Sequence, residues 1–343
     1  MRKMLLAASA LGAATLGLVA SGPADAQTPL IGPVACDRAC LQGMVDAYLD
    51  AVVAHDARRL PLAPSIRYTE DGQQLGLTDG FWGTATGAGT YKHYFLDTRA
   101  QQAGFYGVMK ENGQNVILAL RLKLEGKKIS EIETVLGRTG LGTAGPNGAA
   151  NLEAMGKPDD VWTVENPDHA SREDIVRVSN MYFSALENDD GKGDYSFFAD
   201  DCWRLESGMQ TTAGPHPGPP RPTPPPAPGA APAPARTAPS PFSLSCKGGF
   251  QTGSLQVVTR IRDRRFPVVD EQTGVAFSFA FFDHNAQVHD FTLADGSKMH
   301  GGLQAPFTWE IAEAFRIDHG KIHVVEAVLN NAPYGMKGGW DGH

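Results

Sequence analysis

Two widely separated stretches of this chain carry the same text, and that repeat limits what the chain can fold into. Tyr48-Leu-Asp-Ala-Val-Val-Ala-His-Asp56 is echoed by Tyr182-Phe-Ser-Ala-Leu-Glu-Asn-Asp-Asp190. Glu70-Asp-Gly-Gln73 is echoed by Glu206-Ser-Gly-Met209, and the run Leu122 to Leu136 by Phe315 to Leu329. The offset is 134 at the tyrosines, 136 at Glu70/Glu206 and 193 at Glu133/Glu326, so the second copy holds about 57 extra residues. Self-similarity on this scale means one domain type used twice. The length of 343 residues agrees with two domains.

The first 26 residues belong to neither copy. Arg2 and Lys3 precede an apolar run from Met4 to Ala20, and Ala24-Asp-Ala26 forms a small-x-small site before Gln27. This pattern reads as a secretory signal peptide cleaved after Ala26, and it predicts a periplasmic or secreted protein. Gly, Ser and Thr dilute the run below what a membrane anchor needs, so no membrane association is expected once it is removed. A net charge of −8 with interspersed charges argues against a nucleic-acid partner.

Export makes four cysteines a disulfide-permissive set. Local pairing joins Cys202 to Cys246, pinning the base of the long insertion. Local pairing would make Cys36 and Cys40 the other pair, which stays open at this point because an i,i+4 spacing in a regular helix does not readily meet disulfide geometry and would need a distorted first turn. The absence of any Cys-x-x-Cys leaves zinc unexpected. No His-x-His or His-Glu-x-x-His spacing occurs, and no metal site is expected.

Leu41, Met44, Val45, Tyr48, Leu49, Val52 and Val53 follow helical spacing in the stretch from Cys36 to Asp56. Strands are predicted at Ile66–Thr69, Tyr91–Phe95, Gly104–Lys110, Val116–Leu124 and Ile129–Leu136, with turns at Glu111-Asn-Gly113 and Glu125-Gly126. A leading helix followed by an antiparallel meander is α+β, a curved sheet wrapped over a helix. The expected domains are 36–138 and 169–340, joined by a Gly- and Pro-rich linker over 139–168. The second copy opens with an N-cap at Ser171. Its later strands are read at Leu255–Ile261, Val275–Phe282, Val288–Leu293, Thr308–Ile317 and Ile322–Leu329. Thirteen prolines between Thr211 and Pro241 mark the insertion, whose composition cannot bury a core.

The leading helix, the curved sheet and the closing pair around Leu122 to Glu133 resemble the nuclear transport factor 2-like, or SnoaL-like, cone fold. Tyr68-Thr-Glu-Asp-Gly72, Gly80-Phe-Trp82, the Cys202…Cys246 bracket, Arg262 to Asp270 and Pro333-Tyr-Gly-Met336 are similar to a secreted tandem version known as a domain of unknown function. The resemblance implies two cone-shaped domains forming an intrachain pseudo-dimer. It also implies an apolar pocket between helix and sheet in each. Ketosteroid isomerase, scytalone dehydratase, limonene epoxide hydrolase and plain binding modules share that superfamily, so the fold does not fix the function.

A cofactor-free enzyme in such a cone needs an acid or base and a donor for developing negative charge. Glu313 is the leading candidate, because Ile311, Glu313, Phe315 and Ile317 share one strand face and Leu120 holds the matching place in the first copy. A salt bridge to Arg260, Arg262 or Arg264 is the competing explanation. Tyr68 with Glu70, and Arg204 with Glu206, lie two apart and share a face, so each pair is a candidate for catalysis. His93, between Tyr91 and Tyr94, is a further candidate. Tyr48, Trp82, Tyr182, Glu133 and Glu326 are candidate ligand contacts, although positions kept in both copies more often serve the scaffold.

Three readings stand at this point. The first is an exported, cofactor-independent lyase, isomerase or hydrolase acting on a small hydrophobic or aromatic molecule. The second is a binding protein with the same pocket, and the third a structural pseudo-dimer. A homodimer of the whole chain is also open.

Overall fold

The computed structural model describes residues 35–138, 147–215, 243–300, 303 and 305–340. The leader and its cleavage site, and most of the Pro-rich insertion, lie outside the described residues. Among the described residues no helix is long and apolar enough to cross a membrane.

The first copy begins where Asp37 caps helix α1 (Arg38–Val53) by accepting from the Cys40 amide. Leu41, Val45, Tyr48, Leu49 and Val52 are buried along one face, as the spacing predicts. Six strands follow: β1 (Leu62–Glu70), β2 (Gln73–Gln74), β3 (Ala85–Asp97), β4 (Gln102–Glu111), β5 (Gln114–Glu125) and β6 (Lys128–Arg138). They form one sheet in the order β2-β1-β6-β5-β4-β3, antiparallel except for the parallel pair β1 and β6. A one-turn helix, α2 (Phe81–Thr84), bridges β2 and β3.

The second copy repeats the plan with α4 (Arg172–Glu187), β7 (Phe198–Glu206), β8 (Met209–Gln210), the short helix α5 (Cys246–Phe250), β9 (Arg260–Asp270), β10 (Val275–His284), β13 (Phe307–Asp318) and β14 (Lys321–Ala332). Its sheet order is β8-β7-β14-β13-β10-β9, and β7 runs parallel to β14. The α+β class and the tandem cones therefore hold strand by strand.

Period-two alternation gives each sheet two buried faces. In β5, Leu118, Leu120 and Leu122 point into the first cone, while Ile117 and Ala119 point to the other sheet. In β13, Ile311, Phe315 and Ile317 fill the second cone, while Ala312 and Ala314 face the first sheet. The molecule thus has three cores, one inside each cone and one between the sheets. The sheets approach closely enough that a Cβ on Gly104 would lie 2.4 Å from the Phe277 ring.

The contact between the cones is reciprocal. Arg38, at the start of α1, makes a bidentate pair with Asp270 of the second cone at 2.6 and 2.8 Å. Arg172, which opens α4, pairs with Asp97 of the first. Asp270 accepts from the Leu96 amide, and Asp97 accepts from the Val269 amide. The same symmetry governs the closing strands. Glu133 on β6 is held by Arg121 and by Arg265 from the opposite cone, whereas Glu326 on β14 is held by Tyr91 and His93.

Within the linker, α3 (Gly148–Met155) and a 3-10 turn at Asp160–Thr163 put Ala149, Leu152 and Trp162 into the inter-sheet core. Two local expectations are corrected. The region from Leu255 folds as turns, and the strand begins at Arg260. Of Val288–Leu293, only Phe291–Thr292 (β11) is extended, paired with Lys298–Met299 (β12). Both expected disulfides are closed. Cys36 meets Cys40 because it precedes the helix and is free of helical geometry. Two disulfides fit an oxidising, extracytoplasmic compartment.

Candidate functional site

The second cone encloses a cavity of about 320 Å³, the small end of the range for ligand pockets. Its floor is polar and its far wall apolar. Along β13, Glu313, Ile311 and Trp309 line it in turn, facing Phe282 from β10 and Leu186 from α4. Glu313 pairs across the sheet with Ala327, and Ala327 pairs with Glu206. The two glutamates therefore share one row of the sheet, with the small Ala327 leaving room between them.

Glu313 is buried, and its Oε2 has no hydrogen-bond partner. Burial pushes its carboxyl well above the usual range, and the charge of Glu206 adds to this. Arg204 and the Tyr182 hydroxyl oppose the shift without reversing it. The arginines that could have neutralised Glu313 are engaged elsewhere. Arg260 and Arg262 bind Asp283, and Arg264 binds Glu187. The Glu313 proton is thus retained at a pH where an ordinary glutamate has lost it.

Arg204, on β7, donates through Nη1 to the Tyr182 hydroxyl at 3.1 Å and lies 3.6 Å from Glu206. Burial works against its charge, but Tyr182, Glu206 and Glu313 hold it firmly protonated. Its Nε has no hydrogen-bond partner, and neither does the hydroxyl of Thr211, which lines the same cavity. Tyr182 is pushed well above its ordinary value, first by burial and then by Glu313.

In the first cone the corresponding positions carry apolar or fully bonded side chains. Leu120 replaces Glu313, and Tyr68 replaces Arg204. Trp82 sits edge-on to Tyr48, with ring centres 5.5 Å apart, and donates to its hydroxyl. Glu70 is saturated by Tyr68, the Phe81 amide and Arg138. Gly80 permits that approach, since it has a φ of +61° and a Cβ there would meet Glu70 at 2.5 Å. In the second cone Phe250 takes the station beside Tyr182, with centres 5.4 Å apart. It has no N–H to give, so the Tyr182 hydroxyl accepts from Arg204 instead.

The sequence candidates therefore separate into three groups. Glu313, Arg204, Glu206 and Tyr182 converge on the cavity. Tyr48, Tyr68, Glu70 and Trp82 pack the first cone. His93, Glu133 and Glu326 lie between the cones. Sequence reasoning missed Thr211, which was assigned to the insertion. The signal was available, because the offset of 136 at Glu70/Glu206 sets Thr211 opposite Leu75, still on the shared scaffold. Among the described residues no group of three or more His, Cys, Asp or Glu could hold a metal ion.

The family described as a domain of unknown function (DUF8021) matches residues 35–136 and 168–329. No curated protein matches the sequence. Among solved structures, a candidate ketosteroid isomerase from Kribbella flavida DSM 17836 is similar at 11% identity, covering 32% of this chain and 86% of that one. Its TM-score is 0.25, too low to bear on activity.

Proposed function

The chain belongs to the DUF8021 family, and from that premise we propose that it is an exported, cofactor-independent enzyme of the isomerase or lyase type. Its second cone moves a proton on a small, largely apolar molecule. One observation carries the reading: a buried glutamate on the wall of a largely apolar cavity, its carboxyl held well above the usual range and its Oε2 without a hydrogen-bond partner. Two carboxylates whose surroundings differ supply an acid and a base. Glu313 hydrogen-bonds or protonates a substrate oxygen as charge develops there, and Glu206, beside Arg204, accepts a proton from the substrate. The first cone is the scaffold half. Export follows from the leader over residues 1–26, with cleavage after Ala26, and accords with the two disulfides.

The test is turnover in deuterated water. The mature protein is incubated with small apolar and aromatic molecules, and mass spectrometry follows product and solvent-derived deuterium. The wild type is expected to convert or label one chemical class, and Glu313→Gln to slow that at least ~100-fold with the fold retained. An unchanged rate in the variant removes Glu313 from the chemistry. Tight binding with no conversion by the wild type leaves a binding protein.

A further inference from the structure

Six buried side-chain polar atoms among the described residues have no hydrogen-bond partner, and three of them belong to residues lining the cavity of the second cone. These are Thr211 Oγ1, Glu313 Oε2 and Arg204 Nε, the last facing Glu206 Oε1 at 3.6 Å, beyond hydrogen-bond reach. Unsatisfied groups in native interiors are few, because leaving one forfeits the hydrogen bonds it made to water. Three in one chamber therefore describe the complement of a ligand's polar group. The guanidinium N–H can only donate, and the threonine hydroxyl and a protonated carboxyl can each donate as well. The complement is an acceptor.

Charge balance narrows the acceptor. Arg204 already has Glu206 at 3.6 Å, so the floor carries no uncompensated positive charge. A carboxylate brought here would be buried without a counter-ion of its own, which costs several kcal/mol. An uncharged oxygen takes the same donors without that cost. Beyond the floor the walls are mostly apolar, with Ile311, Leu329, Phe282, Trp309 and Leu255 beside the hydroxyl-bearing Ser254.

We propose that the site takes a small apolar molecule bearing a single uncharged carbonyl, a ketone, ester or lactone, and seats it with the oxygen towards Arg204, Thr211 and Glu313. The inference rests on the second cone being the ligand site. Its test uses three naphthalenes of one shape on the full-length protein: acetylnaphthalene, ethylnaphthalene and naphthoate. Calorimetric titration is expected to show the ketone binding at least tenfold tighter than the hydrocarbon and the acid. Thr211→Val is expected to weaken the ketone several-fold while ethylnaphthalene changes less than twofold. Naphthoate binding as tightly as the ketone overturns the uncharged class, and ethylnaphthalene binding as tightly overturns polar recognition. Either result leaves the cavity itself a ligand site. Failure of all three to bind, with the variant and wild type equally folded by circular dichroism, overturns that reading as well.

Discussion

The two cones share a strand order, a leading helix and a buried tyrosine on that helix, yet bulky buried side chains crowd the first where a polar-floored cavity opens in the second. The difference comes down to a few side chains. Trp82 and Leu120 fill the first cone with apolar volume, and Tyr68 serves Glu70. In the second, Phe250 is smaller than tryptophan, Glu313 is shorter of partners than leucine needs to be, and Arg204 stands where Tyr68 stood. The first cone spends every bond of Glu70 on its own packing, whereas the second adds a buried carboxyl, Glu313, and leaves its Oε2 without a partner.

The largest effect is expected from carrying the second cone's residue into the first. Leu120→Glu buries a carboxyl among Leu118, Leu122 and Trp82, and it should lower stability by about 4 kcal/mol or more. Urea unfolding measures this, and a cost under 1 kcal/mol would show that the first cone is not packed as described. Trp82→Ala comes next, at about 3–5 kcal/mol. It should also open a cavity beside Tyr48 that takes up an apolar dye, which the wild-type first cone excludes.

The crossed bridges between the cones give a smaller, paired prediction. Asp97→Ala removes the aspartate partner of Arg172 and the acceptor of the Val269 and Ala100 amides, and Asp270→Ala removes that of Arg38 and the Leu96 amide, each at a cost of about 3 kcal/mol. Because the environments are related by the pseudo-two-fold, the two costs should agree within about 1 kcal/mol. A large disparity between the two unfolding midpoints would mean that the contact is not reciprocal in energy.

The smallest change is expected to stabilise. Glu313→Leu imports the first cone's residue and should add about 1–2 kcal/mol at pH 8 while removing activity. The pH dependence has a fixed sign. Burial raises the Glu313 carboxyl in the folded chain, so the unfolded chain ionises first as pH rises above about 4.5. Wild-type stability is therefore full below that value and drains away on the way up to the folded pKa. The gain from Glu313→Leu should grow from pH 4 to pH 8, and a gain independent of pH would place Glu313 in a polar, paired environment.

Much of this was legible in the amino-acid sequence because alternation is a strong signal. The inward face of Glu313 followed from Ile311, Phe315 and Ile317, and its divergence followed from Leu120. What could not be read was long-range. His93 meets Glu326 across 233 positions and Arg265 meets Glu133 across 132, and no periodicity reports such partners. Helix α3 was hidden by its shortness and its Ala- and Gly-rich composition, and only tertiary contact makes it a helix. Strand β9 was concealed because Arg260, Arg262, Arg264 and Arg265 interrupt the apolar pattern, their charges taken up by Asp283, Glu187 and Glu133. Thr211 was overlooked because composition, not register, assigned it to the proline-rich stretch.

The crossed arginine–aspartate contact has a consequence for inheritance. When two identical subunits meet in this way, a single gene writes both sides, and any substitution appears in each. In this chain every side of the contact has its own codon. A mutation that plugs one chamber or hollows the other is made once and is felt once. A tandem copy can specialise one half while its twin answers only for holding shape.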